Sequence, residues 1–190
     1  VIFLGYGFIF YLVDQNYYFL ISLAFIGALL AYLRYNFSNK KKIFMGDTGS
    51  LIIGFSIAFL TIKFMAINVS EELDFPFIKE NIITIILSII FIPLFDTLRI
   101  IGNRLFNKKN PFHPDRNHIH HILIDSGLKH YKVGLFLAFI NIFVISLTIF
   151  LSNYLNSFKM LLIQLIIFSL LLLFFYKLKK NLKSSNRLKK

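Results

Sequence analysis

Six long apolar runs alternate with short polar segments along this chain of 190 residues. The runs cover residues 1–13, 17–33, 50–69, 81–95, 133–151 and 158–176. A helix needs about 20 apolar residues to cross about 30 Å of hydrocarbon, and most of the runs approach that length. None shows the period-two alternation that is typical of a barrel strand. The pattern predicts an all-α, polytopic transmembrane bundle with about six spans.

The composition supports a membrane protein. Hydrophobic residues make up 57% of the chain and the mean hydropathy is +0.70, whereas soluble domains are usually about 45–50% apolar. Cysteine is absent, which excludes disulfides and thiolate metal sites. The chain begins with Val1 inside an apolar run and without an initiator Met, so we expect it to be the C-terminal part of a longer protein. We expect residues 1–176 to form one membrane domain and residues 177–190 a basic tail.

The basic residues are concentrated in three segments. Of the 21 Lys and Arg, four lie in residues 34–49, seven in 96–132 and seven in 177–190. These segments share one side if every run crosses once, and acidic residues dominate the opposite segments, 14–16 and 70–80. The positive-inside rule therefore predicts that the loops 34–49 and 96–132 and the tail are cytoplasmic. Topology and anionic headgroups already account for the net charge of +12, so nucleic acid is not an expected partner.

Four of the five histidines fall between positions 113 and 121, inside the second predicted cytoplasmic loop. Imidazole can donate, accept or bind a metal near neutral pH, so the cluster indicates a site for an anion, a proton or a metal. Zinc sites usually take histidines three or four residues apart on one helix, and the spacing of His118, His120 and His121 differs from that pattern. Arg104 and Arg116 beside these histidines would suit a diphosphate, since guanidinium groups match phosphate geometry.

Local signals shape the same loop. The prolines at positions 111 and 114 disfavour continuous helix, so we expect an ordered loop followed by a short helix from about His118. Asp96 and Arg99, three residues apart, are expected to form a helix-surface pair at the membrane edge.

A second unusual stretch is Gly46-Asp47-Thr48-Gly49-Ser50, directly before a predicted membrane helix. In one interpretation Asp47, Thr48 or Ser50 caps that helix and the glycines make the turn. In the other, Asp47 is an oxygen ligand for Mg²⁺ and the glycines let phosphate oxygens approach the backbone at the helix start. The residues themselves leave both interpretations open.

In these motifs the chain resembles the polyprenyl-phosphate N-acetylhexosamine-1-phosphate transferases, a membrane family classed as glycosyltransferase family 4. The first motif is Asn36-Phe37 followed by residues 42–50, and the second comprises residues 92–99, Arg104 and residues 111–121. The form His118-Ile119-His120-His121 is similar to the N-acetylglucosaminyl branch, whereas the peptidoglycan branch has three consecutive histidines. The two motifs occur in the family's order and on one predicted membrane face.

The resemblance implies transfer of N-acetylhexosamine-1-phosphate, most simply GlcNAc-1-phosphate, from a UDP-N-acetylhexosamine to undecaprenyl phosphate, with release of UMP. It implies an enzyme of cell-envelope polysaccharide synthesis that lies in the bacterial inner membrane and contacts membrane lipid. It also implies Mg²⁺ as the cofactor, which Mn²⁺ could replace. Whether the enzyme forms a homodimer stays open. The residues it assigns are Asp47 as metal ligand, Arg104, Asp115 and His118 as catalytic groups, and Asn36, Gly46, Gly49, Arg116, His120 and His121 as substrate-binding groups.

Some family features are missing from these 190 residues. The family's adjacent aspartates and its Asn-rich Asp-Gly loop do not occur, and Lys108 and Asn110 stand where a Gly and a Ser are common. We therefore expect the chain to be inactive by itself.

Two other functional classes stay open. A transporter or channel with a cytoplasmic divalent-cation site would need ionisable residues within its spans, and Lys63 alone lies well inside one; we interpret it as a snorkelling side chain. A non-catalytic membrane scaffold is the third alternative.

Overall fold

The computed structural model describes residues 1–36, 38, 41–70, 77–108, 110 and 118–188. Within these residues the chain forms eight α-helices and no β-strand, which confirms the all-α prediction. The helices are α1 (Ile2–Leu12), α2 (Asn16–Asn36), α3 (Gly46–Ser70), α4 (Ile82–Ile89), α5 (Phe91–Phe106), α6 (Ile119–Asp125), α7 (His130–Leu151) and α8 (Ser157–Leu188). A 3₁₀ turn, Lys79–Asn81, leads directly into α4.

Four of these helices, α2, α3, α7 and α8, are long and apolar enough to cross a membrane. The pair formed by α4, with its preceding 3₁₀ turn, and α5 would be a fifth span, but the two helices meet at a 68° bend. The fourth predicted run, 81–95, is thus divided between two helices by this bend. The described residues thus hold four to five such spans, in line with the expected polytopic bundle, and α1, which covers the first predicted run, is a shorter apolar helix of 11 residues. The protein is a multi-pass membrane protein.

The main apolar core lies among α1, α3 and α4. Tyr6 and Phe10 of α1, Leu60 and Phe64 of α3, and Ile89 of α4 are completely buried there. By contrast, α2 is apolar around its circumference, yet only 6% of its membrane-spanning window is buried inside the protein. Such an outward apolar surface is what a helix facing lipid requires.

Hydrogen bonds fix which ends of the helices meet. The Asn81 side-chain amide donates to the carbonyls of Ser152 and Leu155, both at 2.8 Å. Ser157 donates to the carbonyl of Glu80 at 2.6 Å. The start of α4 and the α7–α8 turn therefore share one end of the bundle.

The C-terminal part of α3 lies at this same end, because the ring of Phe64 contacts that of Phe77 at 6.5 Å. Gly46, at the start of α3, consequently lies at the opposite end of the bundle. The short helix α6 lies at that end too, packed between the beginning of α7 and the later turns of α8. This arrangement agrees with the expectation that the described parts of the three basic segments lie on one side.

Candidate functional site

The carboxylate of Asp96 connects α5 to the histidine segment. Its Oδ1 accepts hydrogen bonds from Nη2 of Arg99 at 2.9 Å and from the backbone N–H of Ile119 at 3.1 Å. Its Oδ2 lies 2.9 Å from Nδ1 of His118. The predicted pairing of Asp96 with Arg99 is confirmed, but it is no exposed surface pair, since the two side chains are only 17% and 9% exposed.

This contact fixes the orientation of the His118 ring. A carboxylate accepts hydrogen bonds and does not donate them, so Nδ1 of His118 carries the hydrogen that faces Asp96. The opposite nitrogen, Nε2, is therefore the one that can accept or donate a proton. The side chain is 43% exposed, which leaves it accessible from outside. His118 stands directly before α6, and the prediction of a short helix from about this position is confirmed.

The three described histidines of the motif form one group of rings. The rings of His118 and His120 are 5.7 Å apart and nearly parallel, and those of His120 and His121 are 4.1 Å apart. Burial lowers the pKa of His120, and repulsion by His121 and His118 lowers it further. At neutral pH His120 is thus a neutral ring beside the Asp96–His118 pair.

Apolar contacts hold the short helix that carries these rings. Ile119, Ile122 and Leu123 are buried, at the spacing that places them on one face of α6. They pack in one cluster with Val133 of α7 and Phe175 of α8. A helix of only 7 residues is marginal by itself, so this packing and the Asp96 contact are what keep it in place.

The second motif begins α3 with a tight backbone turn. Gly46 has a φ of +65°, in the left-handed region where a Cβ atom is unfavourable. A Cβ at Gly49 would lie 2.6 Å from Cγ of Met45, so the glycine permits this close packing. The backbone conformation at Gly46 and the close packing at Gly49 therefore both favour glycine. This structural role is separate from the predicted role in substrate binding.

Asp47 lies in the first turn of α3 with its side chain exposed. Ser50 donates to the carbonyl of Asp47 at 2.8 Å, and Gly46 makes the turn into the helix with its positive φ. The capping and the metal-binding interpretations both stay open. An exposed carboxylate at a helix start suits a hard cation, but Asp47 as metal ligand stays a prediction.

Asn36 ties the end of α2 to the segment before α3. Its amide nitrogen donates to the hydroxyl of Tyr32 at 2.8 Å and to the carbonyl of Ile43 at 3.2 Å. Both amide hydrogens are used in these contacts, which gives Asn36 a role in holding the loop. Its assignment to substrate binding stays a prediction.

The remaining predicted residues fall in different places. Arg104 lies in the last turn of α5, about 12 Å along the helix axis from Asp96. Asp115 and Arg116 lie outside the described residues. Across the described part of the chain, no hydrogen bond or ion pair joins Asp47 to the histidines, and no three His, Asp or Glu side chains are grouped for a metal ion.

The second motif contains Asp96, but no role in the site was predicted for this residue. Its spacing from Arg99 predicted only a local pair, whereas its contacts with His118 and Ile119 span 22 and 23 positions in the chain. A carboxylate at the end of an apolar run is the one signal that could have indicated a further role.

Together, the helical bundle and the Asp–His pair at one end of it define a polytopic membrane protein with a polar site at the membrane edge. Residues 1–65 match the family model described as glycosyl transferase family 4. This match supports the family that the resemblance of the motifs predicted.

Curated relatives support the assignment. The chain is 36% identical over 153 residues to the probable undecaprenyl-phosphate N-acetylglucosaminyl 1-phosphate transferase of Bacillus subtilis, an alignment that covers 77% of this chain and 40% of the relative. It is 37% identical over 124 residues to the undecaprenyl-phosphate alpha-N-acetylglucosaminyl 1-phosphate transferase of Haemophilus influenzae, covering 63% of this chain and 32% of that protein. For the protein of the same name from Escherichia coli the identity is 35% over 107 residues, covering 55% and 27%.

The chain thus spans between about a quarter and two fifths of the length of these relatives. No solved structure gave a significant match.

Proposed function

We propose that this chain contributes the Asp–His part of the active site of a membrane sugar-1-phosphate transferase. The reaction is transfer of N-acetylhexosamine-1-phosphate, in the first instance GlcNAc-1-phosphate, from a UDP-sugar to undecaprenyl phosphate. The observation that carries the proposal is the Asp96–His118 pair, in a chain that matches glycosyl transferase family 4 and whose relatives are named for this transfer.

The chemistry moves one phosphoryl group. An oxygen of the lipid phosphate forms a bond to the phosphorus that carries the sugar, and the bond from that phosphorus to the bridging oxygen breaks. The bridging oxygen and its electron pair leave with UMP. The products are the lipid diphosphate sugar and UMP, so no oxidant or reductant is needed.

His118 suits the proton and charge requirements of this step. With Nδ1–H held by Asp96, Nε2 can accept the proton of the lipid phosphate, or donate to a phosphoryl oxygen once it is protonated. The neutral His120 next to it can add a donor or an acceptor for the diphosphate. Arg104 and the basic residues of this end of the bundle favour the approach of two anionic substrates.

Asp47 would hold Mg²⁺, or Mn²⁺ in its place. When bound, the ion would offset charge on the diphosphate. Mg²⁺ is commonly held by one or two carboxylates together with substrate phosphates, so a single exposed carboxylate fits a site that substrate completes. Gly46 and Gly49 leave the backbone beside it open to phosphate oxygens.

We place the site on the cytoplasmic face of the inner membrane, because the basic segments follow the positive-inside rule. UDP-sugars are soluble donors, and this face gives them access to a lipid-bound acceptor. The transporter alternative is less favoured for two reasons. The Nζ of Lys63 lies 5.8 Å from the ring centre of Phe59, so its charge has a cation–π partner within the protein. The relatives, in addition, are named as transferases.

A domain exchange tests the proposal. The aligned region of the Bacillus subtilis relative is replaced by this chain, and the membranes are supplied with UDP-GlcNAc, undecaprenyl phosphate and Mg²⁺. We expect release of UMP and formation of the lipid diphosphate sugar.

In the same exchange protein, His118→Ala should lower turnover by about 100-fold to 10,000-fold, the range for a general acid or base. His130→Ala, at the exposed start of α7, is the matched control and should retain turnover. Unchanged turnover in His118→Ala would exclude the proposed role of this residue. We further expect the isolated 190-residue chain to release no UMP, and robust release would contradict that expectation.

A further inference from the structure

The break between α4 and α5 lies within an apolar helix pair that is long enough to cross a membrane, and exposed backbone polar groups are costly in hydrocarbon. Pro93 lies four residues after Ile89 and has no N–H, so the carbonyl of Ile89 lacks the helical partner that another residue at 93 would supply. The N–H of Ile92 lies in the first turn of α5, where backbone N–H groups have no partner within their own helix. Both backbone groups need a partner from another element.

One side chain supplies both partners. Asn141 of α7 is 3% exposed, and its amide nitrogen donates to the carbonyl of Ile89 at 3.0 Å. Its amide oxygen accepts from the N–H of Ile92 at 3.2 Å. A primary amide is well suited to this position, because it presents one donor and one acceptor in the arrangement of a peptide group.

The direction of α5 after the break determines where Asp96 lies. Asp96 comes three residues after Pro93, in the first turns of α5, and it holds both His118 and the first N–H of α6. Phe95, the residue before Asp96, packs in one cluster with the buried face of α6, so the observed bend brings the first turns of α5 against α6. A change in the bend angle would therefore move Phe95 and Asp96 relative to the histidines.

We infer that Asn141 is a positioning residue, which holds the α4–α5 break at its observed angle and thereby keeps Asp96 in contact with His118. Its hydrogen bonds go to the backbone of Ile89 and Ile92 and not to the described histidines, so it acts through α4 and α5. The activity measurement below rests on the proposed function, while the distance and stability measurements do not.

The test is a double-mutant cycle of Asn141→Leu and Pro93→Ala. Asn141→Leu alone should lower the unfolding temperature and reduce turnover of the exchange protein by about 100-fold, the scale of a misplaced reacting group. Adding Pro93→Ala should raise the unfolding temperature again, because the N–H of residue 93 can then reach the carbonyl of Ile89. Turnover should stay low, since α4 and α5 would then tend to straighten.

Thr148→Val is the matched control. Thr148 lies on the same helix, is equally buried and contacts Gln164 at 3.4 Å, away from the break. This variant should retain turnover and the bend.

The bend itself can be measured with spin labels, because the chain contains no cysteine that would need to be removed. Labels on cysteines introduced at the exposed positions Ile83 and Leu105 report the distance across the break. We expect this distance to lengthen in the double variant and to stay constant in Thr148→Val. An Asn141→Leu protein that keeps both the distance and the turnover would overturn the inference.

If the exchange protein with the unaltered chain shows no turnover, the proposed function fails. The distance and temperature measurements then still decide whether Asn141 holds the break.

Discussion

The carboxylate of Asp96 and the imidazole of His118 lie 2.9 Å apart although 22 positions separate them in the chain. The contact joins the first turns of α5, just after the bend, to the residue that directly precedes α6. It also selects which ring nitrogen of His118 is available for chemistry, since a carboxylate holds the hydrogen on Nδ1.

Replacing Asp96 with Asn should preserve the shape of the side chain and remove its charge. We expect kcat of the exchange protein to fall by about 10-fold to 100-fold, as for other residues that orient a functional histidine. KM for the UDP-sugar should change little, because Nε2 still faces the same space. The ¹⁵N resonances of His118 should lose their preference for Nδ1–H. Asp125→Asn, exposed on α6, is the control, and a kcat of Asp96→Asn equal to that of Asp125→Asn would contradict the role of Asp96.

The lowered pKa of His120 predicts a dependence of stability on pH. The folded protein holds this ring neutral because of burial and the neighbouring histidines, whereas the unfolded chain protonates it near the usual value of 6.5. Below about pH 6.5 the unfolded state therefore binds more protons than the folded state does. The contribution of the neutral His120 ring to the free energy of unfolding is fully present above that pH and is lost on acidification. The unfolding temperature should fall between pH 7 and pH 5.

His120→Gln removes this titrating group and should show a smaller fall of the unfolding temperature over the same range. The effect is expected to be modest, because the side chain is exposed on one side. An identical fall in both proteins would show that other groups account for the pH dependence.

Asp47→Asn should abolish most of the response of turnover to Mg²⁺. Loss of a metal-ligating carboxylate is expected to lower turnover by about 100-fold, equivalent to about 2.7 kcal/mol of transition-state stabilisation. Binding of Mn²⁺, followed by electron paramagnetic resonance, should weaken in parallel. Asp14→Asn is the control: Asp14 has a φ of 54° in the turn before α2, a conformation that Asn adopts readily. Equal Mg²⁺ responses in the two variants would remove Asp47 from the metal site.

Gly46→Ala should destabilise the start of α3. A Cβ atom in the left-handed region costs about 1–2 kcal/mol, and Gly46 has a φ of +65°. Gly54→Ala in the same helix is the comparison, since a Cβ there meets no atom within 4 Å and φ is ordinary. It should stabilise by about 0.5–1 kcal/mol, the usual gain over Gly within a helix. Equilibrium unfolding in detergent would measure both, and equal stability of the two variants would exclude backbone strain at Gly46.

The local signals predicted much of the fold. The apolar runs placed α2, α3, α7 and α8 because hydropathy over about 20 residues is a property of one segment. The prolines at 111 and 114 and the motif itself predicted that helix resumes near His118, which α6 confirms. The sequence pattern did not predict the bend within the fourth run, because the cost of breaking a helix near Pro93 depends on whether another element can satisfy the backbone. Asn141 does so from 49 and 52 positions away.

The sequence by itself determined the all-α membrane class, the grouping of basic segments, the motifs around Asp47 and His118, and the resemblance to the transferase family. Each of these depends on residues that are near one another in the chain or on composition. Only the tertiary structure decided that Asp96 holds His118, that Asn36 holds the loop before α3, and that Asn141 holds the break before α5. These relationships join distant segments, and a hydrogen bond forms only where the packed helices bring donor and acceptor to about 3 Å.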